Sequence, residues 1–247
     1  SYALSQLAGP VLLGFIGTDH DYGFWVGVGL LMGAPFLLLG RSGAPSAEAC
    51  RVTFIDLFGF CRSMPAIAWA VALFAAFEAL ILTLLPIYCL RQGFTPEIAL
   101  AMISTVVVGD ALLQLPIGAL ADKVSRRTLF SSCAVALMVS SLLVPLLVDT
   151  VLIWPLWVLF GASAGGLFTL SLILIGERYR DDALVRANAH VAQLWGIGCL
   201  LGPLAAGAGS QWVSGQALPL LMAAGAFGLV LLSQRRDAFG AQPVAAA

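Results

Sequence analysis

The stretch GALADKVSRRTLF, residues 118–130, places one glycine, one aspartate and three basic residues between two long apolar segments. The apolar segment before it ends in LLQLPIG, residues 112–118, and a second one runs from 128 to 148. A hydrocarbon core of about 30 Å needs about 20 apolar residues per helix, and both segments are that long. The stretch is therefore typical of a short polar loop that joins two membrane-spanning helices.

The composition extends this interpretation to the whole chain. Of the 247 residues, 60 % are hydrophobic and 10 % are charged, and the mean hydropathy is +0.98. Soluble domains carry about 25 % charged residues, so a soluble fold and a disordered chain are excluded. A net charge of −1 offers no basic surface to a nucleic acid. The five cysteines form no CxxC pattern, and we predict no disulfide framework, metal site or cofactor.

Further apolar stretches of similar length occur on both sides of the quoted loop. We predict an all-α membrane protein, a polytopic helical bundle with eight transmembrane helices. The spans lie near residues 2–17, 22–40, 64–90, 98–121, 128–148, 151–176, 187–209 and 216–233. Three tryptophans near predicted span ends are expected to be interfacial belt residues: Trp154, Trp157 and Trp212.

The loop charges predict an orientation. Eleven of the twelve Lys and Arg residues fall on one side of the predicted membrane, and only Arg91 falls on the other. The eleven are Arg41, Arg51, Arg62, Lys123, Arg126, Arg127, Arg178, Arg180, Arg186, Arg235 and Arg236. Because positive loops stay inside, we expect this side, with both ends of the chain, to be cytoplasmic. The location would be a plasma membrane, here a bacterial inner membrane.

Residues 41–63 form the one long connection between predicted spans. They begin with RSGAPSAEA, residues 41–49, which is typical of a flexible linker. They end with RVTFIDLFGFCR, residues 51–62, an amphipathic run that could lie on the inner face of the membrane. A domain boundary is predicted here, with two spans before it and six after it.

The signature-like loop resembles a known family. The cytoplasmic loop signature of the major facilitator superfamily is G-x-x-x-D-[RK]-x-G-[RK]-[RK], and five residues match it: Gly118, Asp122, Lys123, Arg126 and Arg127. Ser125 stands where the family usually has glycine. The alternative is a basic loop that only obeys the positive-inside rule, and this does not explain Gly118 and Asp122.

The resemblance implies a register within a twelve-helix fold. The chain resembles helices five to twelve, and the signature would be the copy between helices eight and nine. Residues 1–40 would be the last two helices of the N-terminal half, and residues 41–63 would be the cytoplasmic central linker. Residues 64–233 would form the six-helix C-terminal half. Residues 234–247 would be a cytoplasmic tail that need not be ordered. The first four helices of the same protein would be missing.

An internal repeat agrees with that register. A shift of 193 residues superimposes Leu7, Gly9, Pro10 and Gly14 on Leu200, Gly202, Pro203 and Gly207. Together with Gly198, the glycines and prolines are predicted to form a close-packing helix face, with ordinary helix packing and chance recurrence as the alternative. The pattern also resembles a degenerate glycine-proline motif of family exporters, and Ser5 and Leu13 depart from it.

Polar residues inside the spans are the candidate site. Glu78 and Asp110 lie mid-span, where a charge costs about 2.5–3.5 kcal/mol, so each needs a partner, a proton or a water-lined cavity. Glu78 is predicted to couple protons or contact substrate, with a structural carboxylate as the alternative. Asp110 and Gln114 are further candidates for these two roles, and for Asp110 we favour a structural role in which it braces its helix. Gln114, His190 and Gln193 could face the cavity or satisfy helix contacts, and we favour the contacts.

The signature loop is predicted to act as a conformational lock. The resemblance implies that Gly118, Asp122, Lys123, Arg126 and Arg127 hold the two halves together on the cytoplasmic side. An Asp122–Arg126 pair would aim the carboxylate at a helix N-terminus near residues 1–6, while Lys123 and Arg127 stay in the headgroup region. Three further residues are expected to form ion pairs at the next cytoplasmic loop: Glu177, Arg178 and Arg186.

The predicted function is secondary active transport of a small molecule by alternating access, with H⁺ as the expected driving ion and efflux favoured over uptake. A truncated, non-transporting membrane scaffold is one alternative. A membrane-embedded enzyme is another, and it is disfavoured because the sequence has no HExxH, no GxSxG and no paired histidines. The expected partners are the substrate, H⁺ and the lipid bilayer.

Overall fold

The computed structural model describes residues 54–209, 216–235 and 238–239, together with positions 28, 29 and 32. The chain divides into two compact units, Ser1–Arg51 and Val52–Ala247, and the fold described below is that of the second. Apart from the three isolated positions, predicted spans 2–17 and 22–40 lie outside the described residues. The same holds for Trp212, Arg236 and the proposed docking partner at residues 1–6.

Every regular element in the described part is an α-helix, so the prediction of an all-α helical bundle is confirmed. The helices are α1 (Phe54–Ser63), α2 (Pro65–Thr83), α3 (Leu85–Arg91), α4 (Pro96–Ala121), α5 (Arg126–Leu147), α6 (Ile153–Arg178), α7 (Asp181–Gly209) and α8 (Ala217–Ser233). By length and composition α2, α4, α5, α6 and α7 can each cross a membrane, and α8 is a shorter apolar helix of 17 residues.

Predicted span 64–90 differs from the structure because it divides into α2 and α3. Leu84 still donates to the Leu80 carbonyl at 2.8 Å, and Tyr88 donates to the Leu84 carbonyl at 2.8 Å, so the chain continues in nearly the same path. Pro86 has no N–H and cannot extend the ladder of hydrogen bonds, which explains the break between the two helices.

The helices alternate in direction, so the loops gather at two ends of the bundle. One end, here called the basic end, carries α1, the 122–125 loop, residues 179–180 and residues 234–235 and 238–239. The opposite end carries residues 92–95 and 148–152, and there the Tyr88 hydroxyl donates to Gln216 Oε1 at 3.2 Å. The basic loops of the sequence analysis thus share one end of the described bundle.

Helix α2 is the centre of the bundle, because it contacts α6, α7 and α8. An aromatic cluster joins it to two of them: Phe74 and Phe77 from α2, Trp157, Phe160 and Phe168 from α6, and Trp195 from α7. The Phe74 and Phe168 rings stack at 4.8 Å, and the Phe77 and Phe160 rings lie 5.2 Å apart. Such contacts supply packing energy that apolar surface alone does not provide in lipid.

The belt prediction for Trp157 is wrong. Its side chain is 0 % exposed and packs edge-on against Phe160, at 5.5 Å between ring centroids. Within the described residues its Nε1 has no hydrogen-bond partner. Position near a predicted span end does not determine which way a side chain points, and here the side chain points into the bundle.

Helix α1 corresponds to the amphipathic run at the end of the predicted linker. Leu57 and Phe60 are buried against the bundle, while Ile55 and Phe58 on the opposite face are 79 % and 71 % exposed. The Met64 N–H donates to the Phe60 carbonyl at 3.0 Å, so α1 leads into α2 without a flexible joint.

Candidate functional site

Asp110 is buried in α4, with 5 % of its surface exposed. Gln114, one turn along the same helix, donates from Nε2 to Asp110 Oδ1 at 2.9 Å. Two residues that the sequence analysis considered separately therefore form one polar pair. A buried carboxylate that accepts such a hydrogen bond has part of its desolvation cost offset.

The Asp110 carboxylate lies against the backbone of α6. A Cβ added at Gly165 would overlap Asp110 Oδ1 and lie 3.2 Å from Gln114 Nε2. A Cβ added at Gly161, one turn earlier, would overlap the Val106 carbonyl oxygen and lie 3.0 Å from the Asp110 nitrogen. The two glycines therefore let α4 and α6 approach closely and leave room for the carboxylate.

Sequence reasoning missed these two glycines. The run GASAGG, residues 161–166, contains a G-x-x-x-G spacing that signals a close helix contact in a membrane protein. That spacing could have identified α6 as the helix against which a buried polar residue packs.

Glu78 lies in the second half of α2, five residues before the last residue of that helix, and is 9 % exposed. It follows Phe77 and is one helical turn from Phe74, so it borders the aromatic cluster that joins α2, α6 and α7. Neither α2 nor α4 contains a Lys or Arg, so the buried charged groups that these two helices contribute to the interior are carboxylates.

The signature loop connects α4 to α5 through a short turn. Asp122 caps α4 in a helical conformation, and the Lys123 and Val124 N–H groups both donate to the Leu120 carbonyl. Ser125 has φ −53° and ψ 120°, a conformation open to any residue. The turn therefore does not require the glycine that the family usually has at this position.

Arg126 makes the main contact of the loop. Its Nη1 forms an ion pair with Glu177 Oε1 at the end of α6, whereas its Nη2 lies 3.9 Å from Asp122 Oδ1. The Asp122 side chain is 77 % exposed. Glu177 was expected to pair around its own loop, and its partner is instead the signature arginine.

The remaining loop arginines have other neighbours. The Arg178 guanidinium carbon lies 5.9 Å from the centroid of the Tyr179 ring. Arg127 was expected in the headgroup region, and its guanidinium carbon lies 5.3 Å from the centroid of the Phe239 ring. The tail that follows α8 is therefore packed against the signature loop at this point.

His190 and Gln193 contact each other on α7, with 3.1 Å between His190 Nδ1 and Gln193 Oε1. The His190 ring is 6 % exposed and stacks on Phe60 of α1 at 5.4 Å. The two side chains are thus partners at the junction of α1 and α7, near the basic end.

The glycine-proline motif of α7 lies partly on the face that contacts α2. A Cβ added at Gly198 would overlap the Ala72 carbonyl oxygen and lie 2.7 Å from Ala75 Cβ. A Cβ added at Gly202 would lie 2.7 Å from Ala76 Cβ. Gly207, at the end of the motif, is exposed. The matching residues Gly9, Pro10 and Gly14 fall outside the described residues.

Chemically, this arrangement can hold and move charge within an apolar bundle. Two interior carboxylates border packed aromatic and glycine-rich surfaces, and charged residues at the basic end link helix ends. In the described part no group of three or more His, Cys, Asp or Glu side chains is placed to hold a metal ion.

Comparison with known proteins identifies relatives of this bundle. The family model of the Major Facilitator Superfamily matches residues 67–244. An uncharacterized MFS-type transporter of Bacillus subtilis (strain 168), YfkF, is 22 % identical over 151 residues. These residues make up 61 % of this chain and 37 % of that protein. The chain thus matches little more than a third of the length of that relative.

Proposed function

Because the chain belongs to the Major Facilitator Superfamily, whose members are membrane transporters rather than enzymes, we propose that it is part of a proton-coupled secondary transporter. The full protein would move a small molecule by alternating access, as two halves rock around a central site. Export is the favoured direction, because of the glycine-proline pattern at Gly198, Gly202 and Pro203.

The proposed register assigns residues 1–40 to the last two helices of the N-terminal half and residues 64–233 to the C-terminal half. Residues 41–63 would be the linker and 234–247 the tail. Four further helices of the same protein would complete the fold. The basic end would face the cytoplasm of a bacterial cell, with both ends of the chain on that side, since it carries the loop arginines.

Proton coupling is assigned to Glu78, and one observation carries it: Glu78 is a carboxylate buried within α2, a helix long and apolar enough to cross a membrane. A carboxyl group in this setting gains stability when it binds a proton, and it can release that proton when the site opens to water. Asp110 serves as a structural group in this proposal, since Gln114 donates a hydrogen bond to its carboxylate and the α6 glycines leave room for it.

Transport by the full-length protein tests this assignment. Proteoliposomes with an imposed pH gradient would be screened with a panel of small molecules, and gradient-driven flux would be compared among variants. Glu78→Gln keeps the shape of the side chain but cannot cycle a proton, so it should abolish gradient-driven flux while insertion stays normal. Asp110→Asn is the matched control, and it should retain most of the flux.

Two results would oppose the proposal. A compound that moves equally well with and without the pH gradient would contradict proton coupling. Full gradient-driven flux in Glu78→Gln would remove the coupling role and leave a structural carboxylate. Comparison of inside-out with right-side-out vesicles would give the direction, and accumulation only in right-side-out vesicles would contradict export.

A further inference from the structure

Two residues of the tail after α8 are buried at the basic end. Ala238 is 0 % exposed and Phe239 is 6 % exposed. We predicted that the tail need not be ordered. The burial of these two residues instead indicates specific partners. Those partners come from two different elements: the first turn of α2 and the first turns of α5, where Arg127 also belongs to the signature.

The first contact involves the backbone of α2. The Ala66 N–H donates to the Ala238 carbonyl at 3.1 Å. The first N–H groups of a helix have no partner within the helix, and α2 has no side-chain cap at Met64. The tail carbonyl therefore satisfies a donor that the α2 sequence leaves open.

The second contact is the Phe239 ring, which meets two residues of α5. It packs edge-on against Phe130, with 5.1 Å between ring centroids and an interplanar angle of 88°. The Arg127 guanidinium carbon lies 5.3 Å from its centroid, a distance typical of a cation–π contact. Phe130 is 0 % exposed, so the phenylalanine pair belongs to the core rather than the surface.

The two neighbouring arginines of the signature therefore contact different parts of the bundle. Arg126 turns to Glu177 at the end of α6, and Arg127 turns to the tail. The two side chains leave α5 in directions about 100° apart, because they occupy consecutive helix positions. The tail thus fixes one side of the loop and α6 fixes the other.

We propose that Ala238–Phe239 is an intramolecular latch that holds the signature loop to the start of α2. Phe239 is a positioning residue in this arrangement: it acts through Arg127 and the backbone of α2, and it makes no contact with a transported molecule. The latch joins the cytoplasmic ends of α2, α5 and α8, so these helices move together. Release of the tail loosens residues 122–127.

Thiol labelling tests the docking of the tail. The full-length protein would be purified in detergent with its native cysteines replaced by alanine and with Ala238→Cys introduced. The new thiol should react slowly with a polar maleimide. Phe239→Ala should accelerate the reaction at least about tenfold, because it removes a buried aromatic ring. Phe227→Ala, which removes an exposed phenylalanine from α8, should leave the rate unchanged.

Arg127→Gln and its matched control test the link to the loop. Loss of one cation–π contact should accelerate labelling at position 238 about two- to fivefold. Lys123→Gln removes a neighbouring exposed cation and should have no effect. Hydrogen exchange at the Val124 and Leu129 amides, which donate to Leu120 and Ser125 carbonyls, should become faster in Phe239→Ala. Phe239→Tyr keeps the ring and should restore slow exchange.

Either of two outcomes overturns the latch. Labelling of Ala238→Cys as fast as that of an exposed cysteine at position 125 would show that the tail is not docked. The other outcome is a thiol at position 238 that reacts slowly in the parent and equally slowly in Arg127→Gln. If Phe239→Ala also leaves hydrogen exchange in the loop unchanged, the tail is docked but does not hold the loop.

Discussion

At the scale of single residues, the polar groups of the interior depend on glycines of a neighbouring helix. The Asp110 carboxylate occupies space that a side chain at Gly165 would fill. The sequence indicated Asp110 and Gln114 as polar residues in an apolar span, but not their contact with each other. The role of Gly161 and Gly165 was also not predicted. Hydropathy does not show which neighbouring helix a polar side chain packs against, because that depends on tertiary packing.

Glycine substitutions in α7 give the prediction at this scale. Gly198→Ala would place a methyl group onto the Ala72 carbonyl, and we expect it to lower the free energy of unfolding by about 1–3 kcal/mol. Gly196→Ala is the matched control two residues away, where a Cβ meets no described atom within 4 Å. It should be neutral or stabilise by about 0.5–1 kcal/mol.

Unfolding in detergent, followed by circular dichroism, compares the two glycine variants. Equal stability of Gly198→Ala and Gly196→Ala would contradict the close approach of α2 and α7.

At the scale of elements, hydropathy located the helices well. Predicted spans 98–121, 128–148, 151–176, 187–209 and 216–233 correspond to α4 through α8, because long apolar runs separated by charged loops leave few alternatives in a membrane. The break between α2 and α3 was missed, although Pro86 marks it. Helices that are apolar on all sides have only a weak amphipathic pattern. The face that each helix turns to the bundle, and the helices it contacts, could therefore not be predicted from the sequence.

The link between α5 and α6 was also missed. Spacing of four residues suggested an Asp122–Arg126 pair, and the structure contains this pair at 3.9 Å. Glu177 is the closer partner of Arg126, and the Asp122 side chain is largely exposed. Charge pairs between helices depend on which loops meet at one end of the bundle, and that is a property of the tertiary structure.

A double-mutant cycle tests this link. Arg126→Gln combined with Glu177→Gln should give a coupling energy of about 0.2–1 kcal/mol, since both side chains are partly exposed. The cycle of Arg126→Gln with Asp122→Asn is the control and should give a smaller coupling. Both should weaken as salt is raised. A larger coupling energy for the Arg126–Asp122 cycle than for the Arg126–Glu177 cycle would contradict the assignment of Glu177 as the main partner of Arg126.

At the scale of the whole molecule, the loops of the described bundle separate into two ends. Helix α4 has 26 residues, which is a length of about 39 Å, and it runs from the 92–95 loop to the 122–125 loop. The family and the helical membrane fold were predictable from composition and one loop signature. The docked tail was not, because a short segment of small and polar residues carries no helical pattern.

Sidedness is a prediction at this scale. With the native cysteines replaced, a cysteine at Ser125 should react with an impermeant maleimide only from the cytoplasmic side of the membrane, and a cysteine at Gln92 only from outside, because basic loops stay inside. Labelling of both positions from the same side would contradict the assignment of α4 as a membrane-spanning helix. Labelling of position 125 only from outside and of position 92 only from the cytoplasm would contradict the orientation.

The central proposal is that Glu78 binds and releases a proton inside the membrane. Dicyclohexylcarbodiimide is apolar and modifies carboxyl groups in their protonated form, so it reports this property before any substrate is known. Mass spectrometry of the full-length protein in native membranes should show modification of Glu78 that declines as the pH of the medium is raised. Glu97, exposed in the first turn of α4, should remain unmodified. Absence of modification at Glu78 over the whole pH series, with the reagent active on another membrane carboxyl protein in the same sample, would contradict the proposal.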